Sequence, residues 1–181
     1  MNSSHLRNNV RAFEPRDADP VAALFAAYMR ETYGTTSAMS ADALLRDGQG
    51  LRFSLYVAVD ANDVPIGFVA WRDAYDLHHA VAGGEIPDLF VARPHRGRAL
   101  SIRLAAAVAR AIRARGGLYL KSEVLMDDPK RLRLLHRVTV GFPGGSIYVS
   151  GRAFRQLSEV SDGDPRSLLR MLPTPAASRE P

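Results

Sequence analysis

The amino-acid sequence predicts a single domain of the α/β or α+β class. Short apolar segments with strand patterning alternate with amphipathic helical segments, and the chain has no internal repeat and no low-complexity block. A length of 181 residues is that of one ordinary domain. The hydrophobic share of 46% and the charged share of 24% are typical of globular proteins. These observations exclude a disordered, a fibrous or a membrane-spanning chain.

The first third of the chain is expected to form one strand and two helices. A short strand at residues 10–13 precedes Asp19, a helix N-cap, and Pro20, which suits the first helical position. Ser40 caps a second short helix that ends at Gly48. The apolar residues of the first helix share one face, as a core-facing helix requires; they are Val21, Leu24, Phe25, Tyr28 and Met29.

The middle of the chain is expected to form a hairpin, a third strand and the longest helix. Strands at 54–59 and 64–71 flank the turn sequence DAND, which favours an antiparallel hairpin. A third strand at 85–91 leads through the sequence ARPHRGR into a helix at 99–115, which a pair of glycines ends.

The last third is expected to form a strand, a helix and another strand. These are a strand at 118–124, a helix that begins at Asp128 and Pro129, and a final strand at 146–149. After about Val160 the composition changes to Ser, Asp, Pro and Arg, which is typical of a loosely held tail.

Charge is unevenly distributed along the chain. The formal net charge is +5, but residues 72–88 carry one base and four acids, whereas residues 89–140 carry twelve bases and three acids. This distribution suits a protein that joins an anionic cofactor to a cationic substrate, and it also suits a solvated basic helix face. Nucleic-acid binding by the basic segment ranks last, because the segment lacks interleaved aromatic residues and a recognition motif.

Cysteine usage and the N-terminus limit the chemistry and the compartment. The chain has no cysteine, which excludes a disulfide, a thiolate metal site and a cysteine nucleophile, and we expect no metal centre. The first fifteen residues have no apolar region of the secretory type, so a cytoplasmic protein is expected.

The junction ARPHRGRALS is the most informative segment. It follows a strand that ends at Val91, contains one glycine, Gly97, and opens a helix. The first turn of a helix has unpaired N–H groups along a dipole that favours anions, and Arg93, Arg96 and Arg98 add positive charge. The junction therefore predicts a phosphate site, with a merely solvated arginine-rich turn as the alternative.

Four segments together resemble the GNAT superfamily of acetyl-CoA-dependent N-acetyltransferases. They are VPIGFVAW, EIPDLFVARPHRGRALSIRL, LKSEV and DDPKRLRLLHRVTVGF, and the resemblance covers most of residues 10–157. It implies a twisted, mixed, mostly antiparallel sheet, flanked by helices and splayed beside the acetyl-CoA strand. The implied domain spans residues 8–159, and residues 160–181 form a loosely ordered tail.

The resemblance assigns acetyl-CoA to the third strand and the loop after it. In the family, this strand hydrogen-bonds the pantetheine arm, and a loop of the form R/Q-x-x-G-x-G/A holds the pyrophosphate with backbone amides. The strand residues here are Leu89, Phe90 and Val91, and the loop residues are Arg96, Gly97, Arg98, Ala99, Leu100 and Ser101. Ala99 replaces a usual glycine, and Ser101 replaces a usual glycine or alanine. Each larger side chain is expected to crowd the pyrophosphate or to restrict the backbone.

The resemblance also bears on acid–base catalysis, where the chain departs from the family twice. The usual glutamate before the Asp of this strand is Pro87 here; Glu85 lies two residues earlier on the same strand face and is the candidate general base, acting through a water. A tyrosine that often reprotonates the coenzyme A thiolate is missing from the later helix, where His136 is the candidate acid. The structural alternatives are a solvated strand-start glutamate and an exposed helix histidine.

The expected function is transfer of an acetyl group from acetyl-CoA to a primary amine of a small cationic acceptor by direct attack. The segments LLRDGQG, WRDAY and SIYVSGRAFRQL resemble the polyamine and thialysine acetyltransferase branch, in which homodimers are common. The alternative is a catalytically impaired acyl-CoA-binding or regulatory protein of the same fold, which the departures at Pro87, Ala99 and the missing tyrosine favour.

Overall fold

A computed structural model describes residues 9–123, 140–141 and 146–160 of the chain. Its elements in chain order are β1 (Asn9–Ala12), a 3-10 turn (Pro15–Asp17), α1 (Ala18–Tyr33), α2 (Ala41–Asp47), β2 (Ser54–Val59), β3 (Pro65–Asp76), β4 (Val81–Val91), a 3-10 turn (Arg93–His95), α3 (Leu100–Ala114), β5 (Tyr119–Glu123), β6 (Val140–Gly141), β7 (Ser146–Ser150) and α4 (Gly151–Glu159).

The strands form a mixed sheet in the order β1-β2-β3-β4-β5-β7-β6. β4 and β5 pair in parallel, whereas β1–β2, β2–β3, β5–β7 and β6–β7 pair antiparallel. The predicted mixed, mostly antiparallel sheet with flanking helices is therefore confirmed.

The chain divides into two compact units. Unit 1 contains residues 1–72 and 88–107, and unit 2 contains residues 73–87 and 108–181. The predicted domain bounds, 8–159 with a tail at 160–181, stay a prediction, because residues 161–181 lie outside the described residues.

The core of unit 1 forms where α1 and α2 cover the hairpin strands. The rings of Phe25 in α1 and Phe68 in β3 stack with centroids 4.0 Å apart. The predicted apolar face of α1 supplies Val21 and Phe25 to the buried cluster, and Leu24 and Tyr28 pack against it from positions of partial exposure. This packing fixes α1 against the strand face from which Phe90 projects.

The start of α1 differs from the prediction. The N-cap is Asp17, not Asp19. The buried Asp17 carboxylate accepts two hydrogen bonds from Arg11, at 2.6 and 2.9 Å, and one from Glu14 N at 2.8 Å. These contacts fix the chain before the helix, and Pro20 becomes the third helical residue, where its missing N–H still costs no intrahelical bond.

The hairpin and the second helix of unit 1 follow the prediction. Ser40 caps α2 by accepting a hydrogen bond from Ala43 N. β2 has the predicted bounds, and its turn to β3 is closed by Asp60, whose Oδ1 accepts from Asn62 N at 2.8 Å and from Val64 N at 3.0 Å. β3 extends beyond the predicted residue 71 to Asp76.

Two adjacent glycines of β4 shape unit 2. A Cβ on Gly83 would lie 2.3 Å from the Tyr119 ring, and a Cβ on Gly84 would lie 2.6 Å from the Ile112 side chain. Because neighbouring strand residues face opposite sides of a sheet, the glycines admit Tyr119 on one face and the end of α3 on the other.

The end of α3 in unit 2 also binds the last described helix. Arg110 Nη1 donates to Val160 O at 2.6 Å, and Arg113 Nη1 contacts Ser158 Oγ and Glu159 Oε1 at 2.9 and 3.0 Å. α4 was not predicted from the sequence. The predicted helix at Asp128 lies outside the described residues.

Within the described ranges, no helix is long and apolar enough to cross a membrane.

Candidate functional site

The junction between β4 and α3 contains two left-handed residues just before the helix begins. Gly97 and Ala99 both adopt left-handed conformations, with φ of 79° and 57°. Ala99 O accepts a hydrogen bond from Arg103 N at 3.1 Å, so Ala99 caps α3. The N–H groups of Leu100 and Ser101 therefore have no carbonyl partner within the helix. These groups and the helix dipole favour an anion at this end of α3.

The space at the loop is open. A Cβ built on Gly97 would meet no atom within 4 Å, and Arg98 and Ser101 are exposed. Ala99 reaches the left-handed conformation in spite of its Cβ, at a cost of about 1 kcal/mol. The side chain of Ala99 was expected to restrict the backbone, but the left-handed φ is present in the folded chain.

Arg96 has three contacts within unit 1. Its Nε donates to Val91 O at 2.8 Å, its Nη1 lies 2.6 Å from Glu31 Oε1, and its guanidinium lies 5.4 Å from the centroid of the Phe90 ring. Arg93 Nε lies 3.1 Å from the second oxygen of Glu31. Arg96 thus connects the loop to β4 and α1, whereas the charge of Arg98 is exposed to solvent.

The contact of Glu31 with the loop was not predicted from the sequence. The hydrogen bond from Arg96 is the largest cause that lowers the pKa of its carboxyl, and Arg93 lowers that pKa further. Glu31 is one of several charged residues of α1, and its partners lie more than sixty residues away in the sequence, so no local pattern marks it.

The strand segment before the loop is anchored in unit 1. Phe90 and Val91 are buried and Leu89 is half-buried. Ala92 N donates to Ile66 O at 3.0 Å. A Cβ on Gly67 would lie 2.8 Å from Phe90 O, so this glycine allows β3 to approach the segment closely. The three strand residues predicted to contact the pantetheine arm thus lie on a rigid support.

Asp88 and two tyrosines of α1 form a second polar group in unit 1. The hydroxyl oxygens of Tyr28 and Tyr33 lie 3.4 Å apart, and the Tyr28 ring lies 5.7 Å from the Phe90 ring. Burial, the Tyr33 hydroxyl and the Asp88 charge raise the pKa of the Tyr28 hydroxyl. Sequence reasoning placed Tyr28 on the core-facing side of α1 and gave its hydroxyl no role.

Glu85 lies in unit 2, on the part of β4 that pairs with β5. The parallel register joins Glu85 to Lys121 and ends with Ile86 and Ser122, whose Oγ donates to Ile86 O at 2.9 Å. Within the described residues, the register of β4 with β5 ends just before Pro87, which has no N–H to contribute to a strand pair. The splay that the resemblance implies stays a prediction.

Glu85 also lines a cavity of about 1020 Å³ in unit 2. The cavity wall includes basic side chains from three elements, Arg113, Lys121 and Arg155, and the aromatic rings of Tyr119 and Phe154. Glu85 is half-buried in this wall. Its carboxylate is therefore placed next to space that can hold water or a small molecule.

The acidic residues of the β3–β4 hairpin in unit 2 have local partners. Arg115 Nη1 contacts both carboxylate oxygens of Asp73, at 3.0 and 3.2 Å. Asp76 accepts hydrogen bonds from the backbone N–H groups of His78 and His79, and its Oδ2 lies 2.9 Å from His79 Nδ1. These contacts reduce the attraction that the two carboxylates exert on a cationic substrate.

The other predicted catalytic residue, His136, lies outside the described residues. Among the residues that the structure does describe, no group of three or more His, Asp or Glu side chains is arranged to hold a metal ion.

Comparisons with known proteins agree on one fold. A sequence model described as "Acetyltransferase (GNAT) family" matches residues 19–142. A solved structure described as a probable acetyltransferase is 20% identical, with a TM-score of 0.62 over 74% of this chain and 89% of that chain.

Two further solved structures have similar scores. A GNAT family N-acetyltransferase (YhbS) from Escherichia coli, in complex with CoA, is 20% identical, with a TM-score of 0.57 over 83% of this chain and 84% of that one. A ribosomal-protein-alanine N-acetyltransferase from Brucella melitensis is 19% identical, with a TM-score of 0.60 over 75% and 94%. No curated protein matches the chain. At these identities the structural likenesses establish the fold.

Proposed function

Because the chain belongs to the GNAT acetyltransferase family, we propose that it moves the acetyl group of acetyl-CoA to the primary amine of a small cationic acceptor by direct attack. The family makes the protein an acyltransferase with acetyl-CoA as donor. The acceptor, the site residues and the mechanism are the proposal. The observation that supports it most strongly is the open, left-handed loop that joins the buried end of β4 to the N-terminus of α3.

The donor site is proposed to use backbone more than side chains. The backbone of Leu89, Phe90 and Val91 would bind the pantetheine arm, and the amides of the loop at 96–101 would bind the pyrophosphate. Left-handed residues can turn a chain so that successive amides point to one side, and the left-handed Gly97 and Ala99 support this role. Bound here, acetyl-CoA supplies an activated acetyl thioester.

The two arginines of the loop are assigned different tasks. Arg98 is exposed and is proposed to contact phosphate directly. Arg96 is proposed to keep the loop in place, because its guanidinium already contacts Glu31, Val91 O and the Phe90 ring. Arg96 is thus a positioning residue that adds positive charge near the anion.

The acceptor must lose a proton before it reacts. An alkyl amine is mostly protonated at neutral pH, and only its neutral form has a lone pair to attack the thioester carbonyl. A C–N bond forms as the C–S bond breaks, and the sulfur leaves with the electron pair. Glu85, acting through a water, is proposed to take the proton from nitrogen, and His136 is proposed to return a proton to sulfur.

The donor site is tested by calorimetric titration of the protein with acetyl-CoA. Ser101→Asp places a carboxylate at the second residue of α3, where it favours the helix but repels pyrophosphate. We expect acetyl-CoA to bind about tenfold more weakly to this variant, with an unchanged or higher melting temperature. Ser101→Asn is the matched control, and its dissociation constant should stay within about threefold of the wild type.

Equal affinity of Ser101→Asp and Ser101→Asn for acetyl-CoA would show that the helix N-terminus does not bind the pyrophosphate. The base is tested separately: Glu85→Gln should lower turnover at neutral pH more than it lowers the affinity for acetyl-CoA. Turnover equal to that of the wild type across pH 6 to about 9 would remove Glu85 from the mechanism. Acetyl-CoA binding without thiol release would favour the acyl-CoA-binding regulatory protein.

A further inference from the structure

Asp88 occupies a distinctive position on β4. It follows Pro87 and directly precedes Leu89, the first of the three residues to which the proposed function assigns the pantetheine arm. Asp88 is half-buried, so its carboxylate is neither removed from solvent nor freely mobile. Within unit 1 it is thus the carboxylate nearest in sequence to the segment proposed to hold the arm.

The side chain of Asp88 shares a strand face with Phe90, because residues two apart on a strand point the same way. Phe90 contacts the Tyr28 ring, with centroids 5.7 Å apart. The Asp88 charge is also among the causes that raise the pKa of the Tyr28 hydroxyl, after burial and the Tyr33 hydroxyl. Strand geometry and electrostatics therefore agree that the Asp88 carboxylate faces the Tyr28 hydroxyl.

Tyr28 is well placed to hold that carboxylate. Its ring packs between Phe68 and Phe90, with centroid distances of 6.2 and 5.7 Å, so the ring has little freedom to move. The raised pKa keeps its hydroxyl protonated throughout the physiological range. A protonated hydroxyl presents a hydrogen-bond donor to a carboxylate and leaves the second oxygen of that carboxylate for another cation or donor.

The surroundings of Asp88 suit an ammonium group. The aromatic rings of Tyr28 and Tyr33 meet edge to face, with centroids 5.8 Å apart, and present electron-rich surfaces. The neighbouring acid, Glu31, is already occupied by Arg93 and Arg96. On the β3–β4 hairpin, Asp73 and Asp76 also have partners of their own.

We propose that Asp88, oriented by the hydroxyl of Tyr28, binds an ammonium group of the acceptor at the start of the acetyl-CoA segment, and so selects alkylammonium substrates such as diamines. This inference rests on the proposed function and adds the group that recognises the acceptor. Asp88 is the binding residue, and Tyr28 is a positioning residue that acts through it. Tyr33 completes the aromatic wall.

The test uses steady-state kinetics of the full chain with acetyl-CoA and a set of linear diamines. Asp88→Asn removes the charge with little change of shape, and the KM for the diamine should rise about tenfold or more, with acetyl-CoA affinity within about twofold of the wild type. Tyr28→Phe should raise that KM about threefold with little effect on kcat. Asp19→Asn, which removes an exposed carboxylate at the start of α1, is the matched control and should leave that KM nearly unchanged.

Salt dependence distinguishes recognition from a structural role. If Asp88 attracts the ammonium group, added NaCl should raise the diamine KM of the wild type, and Asp88→Asn should lose this dependence. A diamine KM of Asp88→Asn that equals that of the wild type at low salt would overturn the inference. So would an equal loss of diamine and acetyl-CoA affinity, which is the result of a distorted strand.

Failure of the proposed function has a different signature. If the wild type releases no thiol with any member of a mixed panel of primary amines that includes the diamines, the transferase proposal fails, and calorimetry with putrescine and the CoA-loaded protein then decides the inference. Putrescine binding that Asp88→Asn abolishes and Asp19→Asn retains supports the ammonium site. Putrescine that does not bind, or that binds both variants equally, overturns it.

Discussion

Glu31 in the last turn of α1 bridges two arginines of the loop that joins β4 to α3. Its Oε1 lies 2.6 Å from Arg96 Nη1, and its Oε2 lies 3.1 Å from Arg93 Nε. The loop proposed to bind pyrophosphate is thus tied to the helix that carries Tyr28. The same bridge neutralises part of the positive charge that the sequence places in the loop, which leaves the backbone amides and Arg98 as the proposed anion-binding groups.

The coupling between Glu31 and Arg96 should be measurable but small. Both side chains are partly exposed, so solvent screens their attraction, and we expect a coupling energy of about 0.5 kcal/mol. A double-mutant cycle with Glu31→Gln and Arg96→Gln, followed by urea unfolding, measures it. Additive effects of the two substitutions would show that the pair does not stabilise the folded chain.

The pH dependence of this coupling follows from the lowered pKa of Glu31. A lowered pKa means that the folded state prefers the charged carboxylate, so the stabilisation is complete above the ordinary value of 4.5. It is lost as the pH falls through the lower pKa of the folded state. The difference in unfolding free energy between the wild type and Glu31→Gln should therefore be constant from neutral pH to about pH 5 and shrink in more acid solution. A difference that grows on acidification would contradict the assignment.

The contact between Arg11 and Asp17 should matter more for stability. Asp17 is 2% exposed, and its carboxylate accepts hydrogen bonds from both Nη atoms of Arg11. Removal of the partner leaves a buried charge, and we expect Arg11→Ala to lower the unfolding free energy by about 3 kcal/mol. Arg16→Ala is the control, because Arg16 is exposed and its ion pairs should contribute less than about 1 kcal/mol. Equal losses in urea denaturation would contradict the difference in burial.

Replacement of Ala99 by glycine should stabilise the folded chain. Its φ of 57° is in the region that disfavours a Cβ, and removal of the Cβ gains more than the added backbone freedom of glycine costs. We expect Ala99→Gly to raise the unfolding free energy by about 0.5 kcal/mol. Ala105→Gly, inside α3, should instead lower it by about 1 kcal/mol. Destabilisation by Ala99→Gly in thermal unfolding would show that the loop does not need the left-handed conformation.

Local patterns predicted the elements whose formation depends on their own residues. β2 has the predicted bounds because its alternating residues and the Asp60 turn are sufficient to define it. The helix at 99–115 was also predicted, and its residues Leu104, Val108 and Ile112, which recur at helical spacing, are buried. The junction between β4 and α3 was located from a strand, a glycine and a helix start in succession, and the resemblance assigns residues 96–101 of it to the pyrophosphate.

The features that sequence reasoning missed depend on contacts between distant residues. The N-cap of α1 is Asp17, whose carboxylate accepts hydrogen bonds from Arg11 and from Glu14 N. The local capping pattern favours Asp19 instead. β4 begins at Val81, four residues before the predicted start. The added residues include two glycines, which have low strand propensity but make room for Tyr119 and Ile112.

The predicted roles of Glu85 and His136 stay predictions, as do the cytoplasmic location, the homodimer and the polyamine branch. The resemblance implied the homodimer and the branch, whereas Glu85 and His136 were chosen because the chain departs from the family at the usual catalytic positions. The proposed tasks of Arg96 and Arg98 differ because Arg96 contacts Glu31, Val91 O and the Phe90 ring, and these contacts exist only in the folded chain.

Amine-dependent release of coenzyme A is the most direct test of the central claim. The wild type is incubated with acetyl-CoA and the diamine set, free thiol is measured over time, and the amine products are identified by mass spectrometry. The account predicts thiol release that requires the amine and matches the amount of mono-acetylated diamine formed. Tight binding of acetyl-CoA with no amine-dependent thiol and no acetylated product, between pH 6 and about 9, would contradict it.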